Sequence, residues 1–149
     1  MRAVIQRVAK ASVTVDGVIT GQIGCGLLVL LGVGEDDGEE DIAYMANKIS
    51  GLRIFPDKEE KMNLSVLDLD LEMLVVSQFT LYGSVRKGFR PSFTGAACPE
   101  KGEDYYEKFC MEIERLGLKI QKGVFGAMMD VELLNRGPVT ILIDSEKKF

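Results

Sequence analysis

A chain of 149 residues, 46% hydrophobic and 28% charged, has the size and balance of one globular domain rather than a disordered chain. Its formal charge of −5 argues against a broad, non-specific grip on nucleic acid, which needs many Lys and Arg contacts to phosphates, although a few basic residues can still cluster locally. It contains no histidine, which excludes Ser-His-Asp and Cys-His hydrolases, a His-ligated zinc and a His general base.

The first third alternates and then fills with aliphatic residues. It predicts strands over Arg2–Ala9 and Ser12–Val15, a hairpin turn at Asp16-Gly17, a strand over Val18–Ile23 and a buried strand over Gly26–Val33. The acidic lead "EDDGEED" then opens a helix of about four turns, with Ile42, Met45, Ala46, Ile49 and Leu52 on one face. Phe55-Pro56-Asp57 leaves it. A strand is centred on Glu72–Gln78, and "RKGFRPSFTGAACPEKGED" reads as loop. A second helix is expected in "EDYYEKFCMEIERLGLKI", with Tyr106, Phe109, Cys110 and Ile113 on its face and Leu116-Gly117 at its end. A strand pair joined at Asn135–Pro138 follows, because proline belongs at a strand start or edge. The sum is an α+β fold: a compact, mostly antiparallel, β-barrel-like sheet with two main helices, in a single domain over 1–149.

The chain has no apolar run of the roughly 18–20 residues that span a bilayer, so no membrane contact is expected. Cys25, Cys98 and Cys110 are odd in number and lack metal-ligand spacing, which fits a reducing cytosol and a cytoplasmic protein. "EDDGEED" lacks the ligand spacing of a calcium loop. Neither a metal nor a cofactor is expected. Chemistry must therefore come from carboxylates, Lys, hydroxyls, backbone amides or the substrate itself.

Three stretches could carry it. "VVSQFTLYGS" leaves an apolar strand with Ser77, Gln78 and Thr80 around Phe79. It is either a strand end turning polar or a recognition edge, where Gln reads an amide or base, an aromatic stacks, and strand-end N–H groups hold an oxyanion. A continuing strand would put Ser77, Phe79 and Leu81 on one face and Gln78 and Thr80 on the other. "SVRKGFRPSF" interleaves Arg86, Lys87 and Arg90 with Phe89 and Phe93, which suits phosphates and stacked bases or simply a solvated loop. Arg7 alternates with apolar neighbours and either faces solvent or holds a backbone carbonyl with its planar fork. Gly137-Pro138 opens "PVTILID" and is a turn at the least.

Taken together, "SQFTLYG", "RPSF", "NRGPVT", "IQRVAKASVTVDG", "GLLVLLGV" and "GVFGAMM" resemble the D-aminoacyl-tRNA deacylase family, from Met1 to about Asp144. The resemblance implies a homodimer that hydrolyses the ester between a D-amino acid, or glycine, and the terminal adenosine of tRNA. It implies a cis Gly137-Pro138 pair that reaches into the other subunit's site and rejects L side chains. Ser77, Gln78, Phe79 and Thr80 would line the pocket as the catalytic set, and Arg7 would support the Gly-Pro loop. The chemistry would be substrate-assisted through the ribose 2′-hydroxyl. The partners implied are aminoacyl-tRNA and a second copy, with neither DNA nor membrane. Arg136 stands where the family usually has an acid. Met128 and Asp130 stand where acidic and basic residues are common. The alternatives are an editing deacylase for a misacylated L-aminoacyl-tRNA and a non-catalytic tRNA-end binding module.

Overall fold

One long strand organises the sheet. In the computed structural model, which describes residues 1–149, β1 (Arg2–Val15) carries neighbours along both edges. Its first half pairs antiparallel with β3 (Gly26–Gly32), from Arg2 opposite Gly32 to Val8 opposite Gly26. Its second half pairs antiparallel with β2 (Val18–Ile23), from Ala11 opposite Ile23 to Val15 opposite Val18. The hairpin closes at Asp16-Gly17, as the sequence predicts. The other edge of β1 is taken, over nearly its whole length, by the last strand, β8 (Asp130–Asp144).

Between these come α1 (Glu39–Ser50), a small hairpin of β4 (Phe55–Pro56) and β5 (Met62–Leu64), then β6 (Glu72–Ser77). A 3-10 turn (Phe79–Tyr82), α2 (Pro99–Arg115) and β7 (Lys119–Lys122) follow. β6 adds parallel to β3, and β7 parallel to β6, so a parallel flank extends a mostly antiparallel sheet. β2 curls back against β6 and β7, which nearly closes the sheet into a barrel.

The curl explains why "GLLVLLG" is apolar on both faces. Leu27, Val29 and Leu31 join Met73, Val75 and both helices in the larger core. Leu28 faces the other way, into a second cluster with Val8, Val13, Ile23, Leu74 and Val76. A strand buried on both sides has no polar face to show. The helices supply the expected faces: Ile42, Met45, Ala46 and Ile49 from α1, and Tyr106, Phe109, Cys110 and Ile113 from α2.

Several element bounds differ from expectation. α1 has 12 residues, little over three turns, and Leu52 packs on the core from beyond its end. α2 begins earlier, at Pro99, where the missing N–H of proline costs nothing at a helix start. It ends near Leu116 as predicted, and Lys119–Lys122 forms β7 because the open edge of β6 offers it a ladder. β1 runs through Lys10-Ala11 without a break.

Tyr106 links α2 to the sheet. Its buried hydroxyl donates to the Val75 carbonyl at 2.9 Å. That carbonyl also accepts from the Gly123 N–H at 2.9 Å, so Tyr106→Phe leaves it with one partner. The expected cost is about 1 kcal/mol, read as a lower urea midpoint with an unchanged slope. Cys110 lies beside it, and burial pushes its thiol up to about 12, so it stays a neutral packing group.

Candidate active site

The polar stretch after β6 does not continue as a strand. The Gln78 N–H makes a last ladder-like bond to the Leu31 carbonyl at 2.7 Å, and the chain then turns into the 3-10 turn. Gly32 permits this: a Cβ there would lie 2.9 Å from the Gln78 carbonyl oxygen and 3.3 Å from Leu81 Cβ. The expected sorting of Ser77, Phe79 and Leu81 against Gln78 and Thr80 therefore fails. The Gln78 side-chain amide instead donates to Thr80 Oγ1, bringing the two together on one shoulder.

The first bond of the turn runs from the Leu81 N–H to the Gln78 carbonyl at 3.2 Å. The Phe79 and Thr80 N–H groups precede that bond, as the first donors of any helical turn must. Phe79 is exposed and stands edge-on to Phe93, with ring centroids 5.1 Å apart. The shoulder is tied down from below. Arg2 donates to the Leu81 carbonyl at 3.1 Å and to Asp144 at 3.1 Å, and lies 4.5 Å over the Tyr82 ring. Burial, then the Asp37 carboxylate, push the Tyr82 phenol well above its ordinary range, so it stays protonated at neutral pH. A polar cleft of about 520 Å³ opens beside it, between Tyr82, Asp36, Arg86 and Lys148.

The Gly-Pro stretch is likewise not the junction of a strand pair. The two halves of β8 follow one another along the same edge of β1, with a bulge between them. Gln6 pairs with Thr140 and Val8 with Asn135, so Arg7 alone stands opposite Arg136, Gly137, Pro138 and Val139. The Gly137-Pro138 peptide is cis. Both residues are exposed, while Val139 turns into the core.

The bulge is held from three sides. Arg7 donates through Nε to the Arg136 carbonyl at 3.0 Å and through Nη1 to the Ile54 carbonyl at 2.5 Å. Of the two sequence readings of Arg7, the carbonyl clamp is the one observed. Asn135 accepts from the Val139 N–H at 3.1 Å and donates back to the Val139 carbonyl at 2.9 Å. Its amide also reaches Gln6 Oε1 at 3.0 Å. Asn135 and Gln6 escaped the sequence reading: Asn135 stood in the quoted motif, but only the bulge reveals its side chain as the clasp.

The shoulder and the bulge do not meet within one chain. The shoulder hangs beside Leu31, which pairs with Ala3, whereas the bulge lies opposite Arg7 on the far edge of β1. Four residues along and three strand spacings across put them on the order of 20 Å apart. No three Cys, Asp or Glu side chains converge in a way that could hold a metal ion.

The sequence profile described as D-Tyr-tRNA(Tyr) deacylase matches residues 4–144, nearly the whole chain. The chain belongs to this deacylase family. A D-aminoacyl-tRNA deacylase of Koribacter versatilis (strain Ellin345) is 62% identical over 149 residues, with all of both chains covered. One of Halothermothrix orenii is 60% identical over the same span. Among solved structures, the c-Myc DNA Unwinding Element Binding Protein superposes with a TM-score of 0.91 at 43% identity, covering 97% of this chain and 98% of that one. A probable eukaryotic D-amino acid tRNA deacylase shares the fold, with a TM-score of 0.80 at 18% identity. Membership makes this deacylase-family chain an enzyme of the hydrolase class.

Proposed function

We propose that the protein, acting as one domain over 1–149 and as a cytoplasmic homodimer, hydrolyses the ester joining a D-amino acid or glycine to the terminal adenosine of tRNA. The observation that carries this reading is the pairing of a hydrogen-bonded shoulder at Gln78–Thr80 with a clamped, exposed bulge at Gly137-Pro138, in a chain of this family. Each is held by side-chain hydrogen bonds, and in this reading each is half a site. A second copy, docked by its own bulge, would complete both. Leu134 and Leu142 support that contact, since both stand exposed on β8 to either side of the bulge.

In the composite site the Gly137 and Pro138 carbonyls form a fixed wall where an L side chain would project. A D side chain points elsewhere, and glycine has none, so selectivity comes from exclusion rather than from a pocket for each side chain. The aminoacyl ester is already labile, so positioning and oxyanion stabilisation suffice. The Phe79 and Thr80 N–H groups receive the developing oxyanion, Ser77 and Phe79 line the pocket, and the ribose 2′-hydroxyl of the substrate assists the attack of water. Thr80 orients rather than attacks: Gln78 holds its oxygen, and none of its hydrogen-bond partners is a base. The reading gives no part to DNA, a metal or a membrane.

Thr80→Ala should therefore slow turnover by up to about 100-fold and leave measurable hydrolysis, as a misplacement of about 1 Å at a positioning group does. Complete loss, with an acyl-enzyme trapped in the parent, would sink the orienting role. The reading as a whole is tested by deacylation of D-tyrosyl-tRNA and L-tyrosyl-tRNA with a chelator present. Rapid loss of the D ester alone is expected. Loss of both would point to a broader editing enzyme, and loss of neither, in folded protein, to a binding module.

A further inference from the structure

The stretch after the shoulder has no role in the reaction described above, yet it is built as a projecting ribbon. Ser84 and Ser92 face each other in an antiparallel bridge, with N–H to carbonyl distances of 2.8 and 2.9 Å. Every residue from Val85 to Pro91 is exposed. Phe89 is 104% exposed, as open as in an extended chain, which is costly for a large apolar side chain that covers nothing. Beside it stand Arg86, Lys87 and Arg90. None of the three takes part in an ion pair, whereas Lys108, Arg115 and Lys122 all do. On a chain of net charge −5, three unpaired cations around a bare aromatic form a local reversal of sign. The root of the ribbon is fixed to the site, since Phe93 packs on Phe79.

We propose that this ribbon binds the single-stranded 3′ end of the tRNA upstream of its terminal adenosine, with Arg86, Lys87 and Arg90 on phosphates and Phe89 stacked on an unpaired base. The inference rests on the aminoacyl-tRNA reading of the shoulder. Charge and chemistry select the ligand: phosphates want cations that no carboxylate already holds, and an exposed ring offers a face to any base. The neighbouring cleft is the poorer path, because Glu35, Asp36, Asp37 and Glu146 line it along with Arg2, Arg86 and Lys148, which leaves it no excess of positive charge. The strand passes over the outer side of the ribbon and delivers its last nucleotide to the shoulder. Affinity for the tRNA is thereby separated from chemistry on the ester.

The experiment compares two substrates, D-tyrosyl-tRNA and D-tyrosyl-adenosine, which share the ester and terminal nucleoside but differ in the strand upstream. It uses the parent, Phe89→Ala, and a triple variant with Arg86→Gln, Lys87→Gln and Arg90→Gln. For the triple variant, kcat/KM on the tRNA should fall about 10- to 100-fold, mostly through KM, and its log–log salt slope should flatten by about 2, at roughly 0.7 per lost phosphate contact. Phe89→Ala should lose about 10-fold on the tRNA with its salt slope unchanged, as loss of one stacked base predicts. Both variants should cleave D-tyrosyl-adenosine like the parent. Equal losses on both substrates, or none on the tRNA, would overturn the proposal. Binding of uncharged tRNA is measured alongside. If the parent cleaves neither ester, weaker tRNA binding by the variants upholds the ribbon while the deacylase reading fails, and unchanged binding overturns the ribbon. Equally tight binding of a single-stranded DNA of the same length, lost in the same variants, would overturn its assignment to tRNA.

Discussion

Gly137→Ala should lower kcat/KM for D-tyrosyl-tRNA by about 100-fold and narrow the gap between the D and L esters, since a displacement of about 1 Å at a positioning group costs that much. The reason is local. Gly137 has φ +133, where a side chain is strained whatever the space around it. A Cβ there would also lie 2.6 Å from Arg7 Nη2 and 2.8 Å from Val139 Cγ2. Arg7 would have to give way, and it is the group that ties the Arg136 and Ile54 carbonyls together. Its retreat frees the bulge and moves the two carbonyls proposed to face the substrate. The change lies on the surface, so the fold should survive with a loss of about 1 kcal/mol or more, a melting point lower by roughly 2–4 °C for each. An unchanged D-to-L ratio in folded protein would count against the carbonyl wall.

The second large effect is a gain. A heterodimer of one Thr80→Ala, Gln78→Ala chain and one Gly137→Ala chain should recover about half of the parent's turnover, although either variant alone is crippled. In the proposed two-fold dimer each composite site would take its shoulder from one subunit and its bulge from the other. The mixed dimer therefore has one site with both halves intact and one with both damaged. Co-expression with two different tags and sequential purification isolates it. If each site were built within one chain, the mixed dimer would show only the average of two impaired enzymes. The separation of Gly137 from Gln78, on the order of 20 Å within one chain, is what makes recovery the expected result.

Much of the fold was legible because it is written in short-range periodicity. The helix faces through Met45 and Ile49 and through Tyr106 and Ile113, the Asp16-Gly17 hairpin and the two-faced apolar strand at Gly26–Gly32 all follow from neighbours within a few positions. The candidate site was legible as a set of residues. "SQFT" and "GPVT" drew attention through the family they resemble, and the absence of histidine narrowed the chemistry before any fold was known.

What the sequence by itself determined was thus the class of fold, the family and the kinds of side chain available for catalysis. The tertiary structure decided the geometry. Lys119–Lys122 became a strand because β6 left an edge open beside it, and Thr80 turned toward Gln78 because Gly32 let the chain fold down onto the end of β3. Gly137-Pro138 became a bulge because both flanking segments of β8 pair along one edge of β1, leaving four residues to arch over Arg7. Each of these depends on partners tens of residues away, and the pairing of distant backbone edges leaves no period in the local sequence from which it could be read.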